Sequence, residues 1–363
     1  TRIRVIGQGT AAIAGRSLAQ LLRTMVDHRV QVDALPATEL SGFQLQLDMT
    51  DTLIIAISQS GTTTDTNRTV DLARTRGASV LAIVNRRGSE LSAKADGVLF
   101  TSDGRDVEMS VASTKAFYSQ VAAGALLSCA ISAALGTGTN DERHQLLTAL
   151  RTIPDAMFQV LALRPQIAEA ARQFAPARRY WTVVGNGFNA VAAEEVRIKL
   201  SELCYKSIAC DITEDKKHID LSCEPMIIVC ATGLSDGTAS DVAKEIAIYR
   251  AHKALPIVIA QEGEQRFDAA AAVISVPRVD PRVAFILSVM VGHLFGYEAA
   301  LAIDSLARPL RSAREVVEHA VERGGVGSQL LAKVRSEIGV PATRFFDALA
   351  TGMYDGNLEA STA

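Results

Sequence analysis

Leu53-Ile54-Ile55-Ala56-Ile57 runs without a polar break into Ser58-Gln59-Ser60-Gly61-Thr62-Thr63-Thr64-Asp65. A short, wholly apolar run is the pattern of a strand covered on both faces, as in the middle of a parallel sheet. The hydroxyl-rich turn behind it predicts a helix to about Arg76. Working outward, residues 2–6 read as a strand, Gly7-Gln8-Gly9-Thr10 as a turn, and 11–25 as a helix. Further strands are expected at 29–33, 80–84 and 97–100. Strands alternating with helices need crossover connections, hence a doubly wound α/β parallel sheet covered on both faces.

The pattern then restarts. Val183-Val184-Gly185-Asn186-Gly187-Phe188-Asn189-Ala190 echoes Val5-Ile6-Gly7-Gln8-Gly9-Thr10-Ala11-Ala12 at an offset of 178 residues. Ile227-Ile228-Val229-Cys230 similarly answers Ile54-Ile55-Ala56-Ile57. The expected organisation is two α/β lobes of one type in tandem, 1–150 and 151–318, joined near 136–164, with a helical extension over 319–363. At roughly 150 residues per domain, 363 residues fit this division. Two lobes also supply a cleft, where small-molecule sites usually form.

Lys plus Arg number 37 and Asp plus Glu 40, a net charge of −3, which argues against nucleic acid as a partner. With 48% hydrophobic and 21% charged residues the chain can bury a sizeable core. Five cysteines without a CxxC pair suggest neither a disulfide framework nor a zinc site, so a reducing cytoplasm is expected. Two apolar stretches were weighed as membrane spans. Residues 121–135 read as too short. Residues 283–303 carry Gly292, His293, Gly296 and Glu298, so a buried helix of a soluble domain is expected.

Six hydroxyls lie between Ser58 and Thr66, at a strand's carboxyl end and a helix's start. A phosphate there can take hydroxyls, free backbone N–H groups and the positive end of the helix dipole. A helix cap would need one hydroxyl only. Gly7-Gln8-Gly9-Thr10-Ala11-Ala12 fits a dinucleotide fingerprint, with Asp33 closing the next strand. The hydroxyl turn would have no task in such a site, so no nicotinamide cofactor is expected, and no metal. Lys199 and Glu202 share one helix face, and Glu202 could serve as a general base. A Lys–Glu pair at that spacing is more often a surface ion pair, and a lone His218 after Glu214-Asp215-Lys216-Lys217 reads as a solvated turn. Spacing leaves these three undecided. Ser113 and Thr114 open an apolar helix and by default cap it.

Taken together, the 58–64 turn, Asp65-Thr66, Val84-Asn85, Gly88-Ser89 and above all Val111-Ala112-Ser113-Thr114-Lys115-Ala116-Phe117 resemble the sugar isomerase (SIS) family. More narrowly they resemble the isomerase half of the glucosamine-6-phosphate synthases, over residues 2 to about 318, which implies a fold of two flavodoxin-like, doubly wound lobes in tandem. The resemblance implies that Ser58, Gln59, Ser60 and Thr63 bind the substrate's phosphate, and that Val111 and Ser113 contact its sugar. Thr10 and Arg311 complete the expected binding set. It places the family's proton-transferring glutamate on Glu202 and its lysine on Lys199. His218 falls on the histidine that assists ring opening from a neighbouring subunit. It therefore implies a homodimer, a hexose 6-phosphate substrate, and conversion of fructose 6-phosphate to glucosamine 6-phosphate.

Departures accompany the match. Gln8 replaces a cysteine, Ala11 a serine and Thr62 a glutamate, while Ile219-Asp220 follows His218 in place of Gly-Pro. The stretch 304–312 resembles a closing tail, yet Arg311 stands where that tail has an active-site lysine, and Arg cannot form a Schiff base with a ketone. The 363 residues hold no glutaminase part. Ammonia is thus expected from solution, from a glutaminase domain or subunit, or from sequence upstream of Thr1. Two alternatives stay open: a SIS-type amino-sugar-phosphate deaminase or deglycase, and a non-catalytic sugar-phosphate sensor.

Overall fold

The computed structural model describes residues 1–352 apart from 29, 104–107, 109–111, 219–220 and 325. In the first half, strands β1 (Arg2–Gly7), β2 (Gln31–Pro36), β3 (Thr52–Ser58), β4 (Ser79–Val84) and β5 (Gly97–Phe100) form one parallel sheet in the order β2-β1-β3-β4-β5. Helices α1 (Thr10–Met25), α2 (Ala37–Glu39), α3 (Thr64–Arg74), α4 (Glu90–Lys94) and α5 (Lys115–Ala134) belong to it. After α6 (Asn140–Ala162) and α7 (Arg164–Phe174) the arrangement repeats. Strands β6 (Trp181–Gly185), β7 (Ala209–Asp211), β8 (Met226–Ala231), β9 (Leu255–Gln261) and β10 (Ala272–Val276) pair in the order β10-β9-β8-β6-β7, the same winding. Helices α8 (Phe188–Cys204), α9 (Thr213–Lys216), α10 (Asp236–Ala251) and α11 (Phe285–Glu322) flank it. Both sheets thus have the expected flavodoxin-like order, and a C-terminal helical region follows as α12 (Ser328–Glu337) and α13 (Gly339–Ala350).

The apolar run that opened the sequence argument is β3, buried at every residue from Ile54 to Ser58. The echo between the halves has a backbone meaning. Gly9 and Gly187 stand at the starts of α1 and α8 with φ of 55° and 59°, a region that L side chains avoid. The second strand differs from its expected 29–33: it runs to Pro36 because β1 continues to Gly7, which Pro36 pairs. On the sheet's edge the missing proline N–H leaves no ladder bond unmade.

The lobes share a core. Ile13 of α1, Phe117 of α5, Val183 of β6, Val196 of α8 and Val289 of α11 lie in one buried cluster. Each large side chain so enclosed contributes about 1.5–3 kcal/mol. Helix α5 is 20 residues long, longer than the 121–135 stretch read as too short for a membrane. By length and composition α5 and α11 could each cross a bilayer, yet 56% and 67% of their most apolar windows are buried inside the protein. Helix α11 also corrects the view of residues 304–312 as a closing tail: it runs unbroken through Pro309 to Glu322. Helices α12 and α13 bury no side chain completely.

Candidate functional site

Strand order reverses between β1 and β3, so the loops leaving their carboxyl ends diverge to opposite faces and open a crevice. The 58–64 turn lies there. Ser58, 3% exposed, accepts the Gly61 N–H at 3.0 Å and lies 3.1 Å from the Thr63 hydroxyl. Ser60 Oγ accepts both the N–H and the hydroxyl of Thr62, at 3.2 and 3.0 Å. Gly61 has φ +66°, and a Cβ on it would sit 2.1 Å from Ser89 Oγ, so only glycine lets the turn lie this close to its neighbour. No side chain caps α3 at Thr63, so its first N–H groups are available to an anion. Gln8, from the turn after β1, reaches Thr38 at 3.3 Å and Asp65 at 3.5 Å, tying the two sides of the crevice.

Among the described residues the second lobe shows no such opening. Asn189 Oδ1 accepts the N–H and hydroxyl of Thr232 at 3.2 and 3.0 Å, and Ser288 lies 2.9 Å from that hydroxyl. Gly233 is pressed against Pro281 and Ala284. The turn corresponding to 58–64 is filled by the protein's own side chains.

Gln59 lines a cavity of about 160 Å³ with Asn85, Thr101, Ser102, Glu108 and Lys115. This brings the 58–64 turn to the start of α5, where Ser113 was expected to meet the sugar. Ser113 Oγ donates to Glu108 at 3.1 Å. Glu108 also accepts the N–H groups of Thr114, Lys115 and Ala116 at 2.6, 3.1 and 3.1 Å, so this carboxylate, and not Ser113 or Thr114, caps α5. Val111, the other expected sugar contact, lies outside the described residues. Burial works to raise the Glu108 pKa, but the amides of Thr114 and Ala116 outweigh it and hold it below the usual carboxylate value. A depressed folded pKa stabilises above the unfolded value of about 4.3, and that contribution fades as pH falls through the folded one. Glu108→Gln should therefore lower the melting temperature at pH 7, with the gap to the parent closing in acid. A gap independent of pH in thermal melts would contradict the charge-based cap.

Lys199 and Glu202 are not a surface pair. Lys199 is 1% exposed and its Nζ donates to Glu202 Oε2 at 2.8 Å, while Glu202 keeps 35% of its side chain exposed. One turn back on α8, wholly buried Glu195 places Oε1 3.7 Å from the same Nζ. Thr10, placed in the binding set from sequence, instead gives its hydroxyl to Glu195 at 3.3 Å, spanning from α1 to α8. A buried carboxylate is tolerated only when so paired. Positions 195, 199 and 202 fall on one helix face. Stepping one turn back from Lys199 was the signal that could have found Glu195.

His218 and Arg311 are placed elsewhere. The His218 side chain is 69% exposed and sits 3.9 Å from Glu214. Arg311 binds Asp304 seven residues back on α11, beside an Arg308–Asp304 pair at 2.9 Å. Asp33, the acid a dinucleotide would need, is bonded to Arg4 and lies 3.7 Å from Arg23. Among the described residues no three His, Cys, Asp or Glu come together as metal ligands.

Comparison with known proteins shows what the chain is similar to. Residues 1–130 match the SIS domain. Glutamine–fructose-6-phosphate aminotransferase (isomerizing) of Thermus thermophilus is 33% identical over 87% of this chain and 52% of its own length. The protein of the same name from Corynebacterium glutamicum is 31% identical over 83% and 48%. The chain thus spans about half the length of the curated relatives it matches. Among solved structures, the C-terminal domain of glucosamine-fructose-6-phosphate aminotransferase from Francisella tularensis superposes with a TM-score of 0.75 at 21% identity, covering 83% of this chain and 84% of that one.

Proposed function

We propose, on the premise that this chain carries a SIS domain, that it isomerises hexose 6-phosphates, taking fructose 6-phosphate to glucosamine 6-phosphate when ammonia is supplied. The observation that carries the reading is Lys199, buried and bonded to a half-exposed Glu202, on the helix that packs against the lobe with the open 58–64 turn. A ketose becomes an aldose when a proton leaves C1, an enediol or enolamine forms, and a proton returns to C2. One carboxylate can perform both transfers, and a positioned acid–base group contributes about 10²–10⁴-fold. In this reading Lys199 engages one oxygen of Glu202 and orients the carboxylate, and the other oxygen meets the substrate. Ser60, Thr63 and the first N–H groups of α3 hold the phosphate, with Ser58 shaping the turn and Gln59 and Ser113 facing the sugar.

The His218 side chain is exposed, 3.9 Å from Glu214, and in this reading it assists ring opening in a second copy of the chain, a homodimer. A glutaminase domain or subunit would supply ammonia, and five cysteines with no CxxC pair suit a reducing cytoplasm. One observation favours a second reading, deamination of an amino-sugar phosphate: Arg311, bound to Asp304, offers no amine for a Schiff base. Incubation with fructose 6-phosphate, with and without ammonium, should form the aldose products. Turnover of glucosamine 6-phosphate alone would favour the second reading, and turnover of neither sugar would reject both.

A further inference from the structure

We propose that His293, a residue outside the binding set, is a positioning residue for the Glu195–Lys199–Glu202 row, with Tyr118 fixing the tautomer in which it acts. The inference rests on the reading of Glu202 as the proton-transferring carboxylate.

His293 lies on α11 with 9% of its side chain exposed, enclosed by α5 and α8. Its Nδ1 is 2.8 Å from the Tyr118 hydroxyl, and its buried Nε2 faces Glu195 Oε1 at 3.4 Å, an ion-pair distance at which no hydrogen bond is formed. The Phe117 and Tyr118 rings stand edge-on to the imidazole, at 6.5 and 5.5 Å between centroids. Burial and then the charge of Glu195 push the Tyr118 pKa up, so the phenol keeps its proton. A buried O–H must find an acceptor, and the one at hand is Nδ1. The imidazole proton is then on Nε2, the nitrogen nearest Glu195.

Both sides of this contact are short of partners. Glu195 is fully buried and its Oε2 has no hydrogen-bond partner among the described residues, and neither has His293 Nε2. Around Glu195 Oε1 stand Thr10, Lys199 and His293, one group each from α1, α8 and α11. A single ammonium, that of Lys199, lies between the carboxylates of Glu195 and Glu202. It stands closer to Glu202 than to Glu195, 2.8 against 3.7 Å. The asymmetry is what a general base at Glu202 requires, and an imidazole N–H facing Glu195 supports it. Of the other carboxylates on these helices, Glu298 of α11 pairs with Arg164 of α7 and Glu194 of α8 with Arg16 of α1.

Without the His293 donor, Glu195 should draw Lys199 away from Glu202. Glu202 then loses the partner that orients it, so the loss should fall on kcat. In the full chain, His293→Leu should lower kcat by roughly tenfold, with KM for fructose 6-phosphate unchanged. His293→Gln, whose amide can still donate to Glu195, should recover most of the loss, and Tyr118→Phe should show part of it. A purely structural role would lower stability in all three and leave kcat of the folded enzyme unchanged, overturning the proposal. Should the parent protein turn over no sugar phosphate, the proposed function fails, and the histidine claim is read by ¹⁵N NMR of histidine-labelled protein. His293, assigned by its absence in His293→Gln, should then be an Nε2–H tautomer. An Nδ1–H tautomer would refute the inference on its own.

Discussion

Glu202→Gln should retain sugar-phosphate affinity close to that of the parent and lose turnover by about 10²–10⁴-fold. The substitution is nearly isosteric. Its carbonyl oxygen can still accept from Lys199, as Glu202 Oε2 does at 2.8 Å, and Glu195 remains to neutralise the lysine. The fold should therefore persist, while the amide cannot take a proton from carbon. Parallel isothermal titration with fructose 6-phosphate and steady-state kinetics separate the two effects. Equal loss of affinity and rate would make Glu202 a binding residue, and no loss of either would leave a sensor as the better account.

The second large effect is expected at the 58–64 turn. Ser60→Ala combined with Thr63→Val removes two hydroxyls and leaves Gly61 and the Ser58 bond to its N–H in place. Hydrogen bonds to a charged group are worth about 1.5–3 kcal/mol each, so KM for fructose 6-phosphate should rise by at least about tenfold per lost bond. Because Glu202 stands on the other lobe, kcat at saturation should change far less. A matching comparison with unphosphorylated fructose should show no such difference between parent and variant. A fall confined to kcat, with KM untouched, would place the phosphate elsewhere.

The parts legible in the sequence were those written in local pattern. The apolar run 53–57, the hydroxyl turn after it and the Gly9/Gly187 echo each depend on neighbouring residues, and they pointed to two parallel-sheet lobes of one type; the strand order came with the family resemblance. What escaped was assembled from distant elements. Glu108 caps α5 across a loop, so Ser113 and Thr114, the residues at the helix start, drew the reading instead. Tyr118, Glu195 and His293 belong to three helices, and none carries a motif of its own; His293 stood in the sequence only as a polar interruption of an apolar helix. Lys199 and Glu202 had the right spacing, but their burial, which separates a site from a surface ion pair, comes from the packing of α8 against α1 and α11. The 304–312 stretch was read through its resemblance to a closing tail, which says nothing of helix length; a proline costs one helical hydrogen bond, and α11 continues past Pro309.

The most direct test of the central claim is a crystal of the Glu202→Gln protein soaked with fructose 6-phosphate. The account predicts the phosphate against Ser60, Thr63 and the first turn of α3, with C1 and C2 of the sugar within hydrogen-bond reach of the residue 202 side chain. A phosphate bound away from that turn, or a sugar whose C1 and C2 face no part of α8, would contradict it.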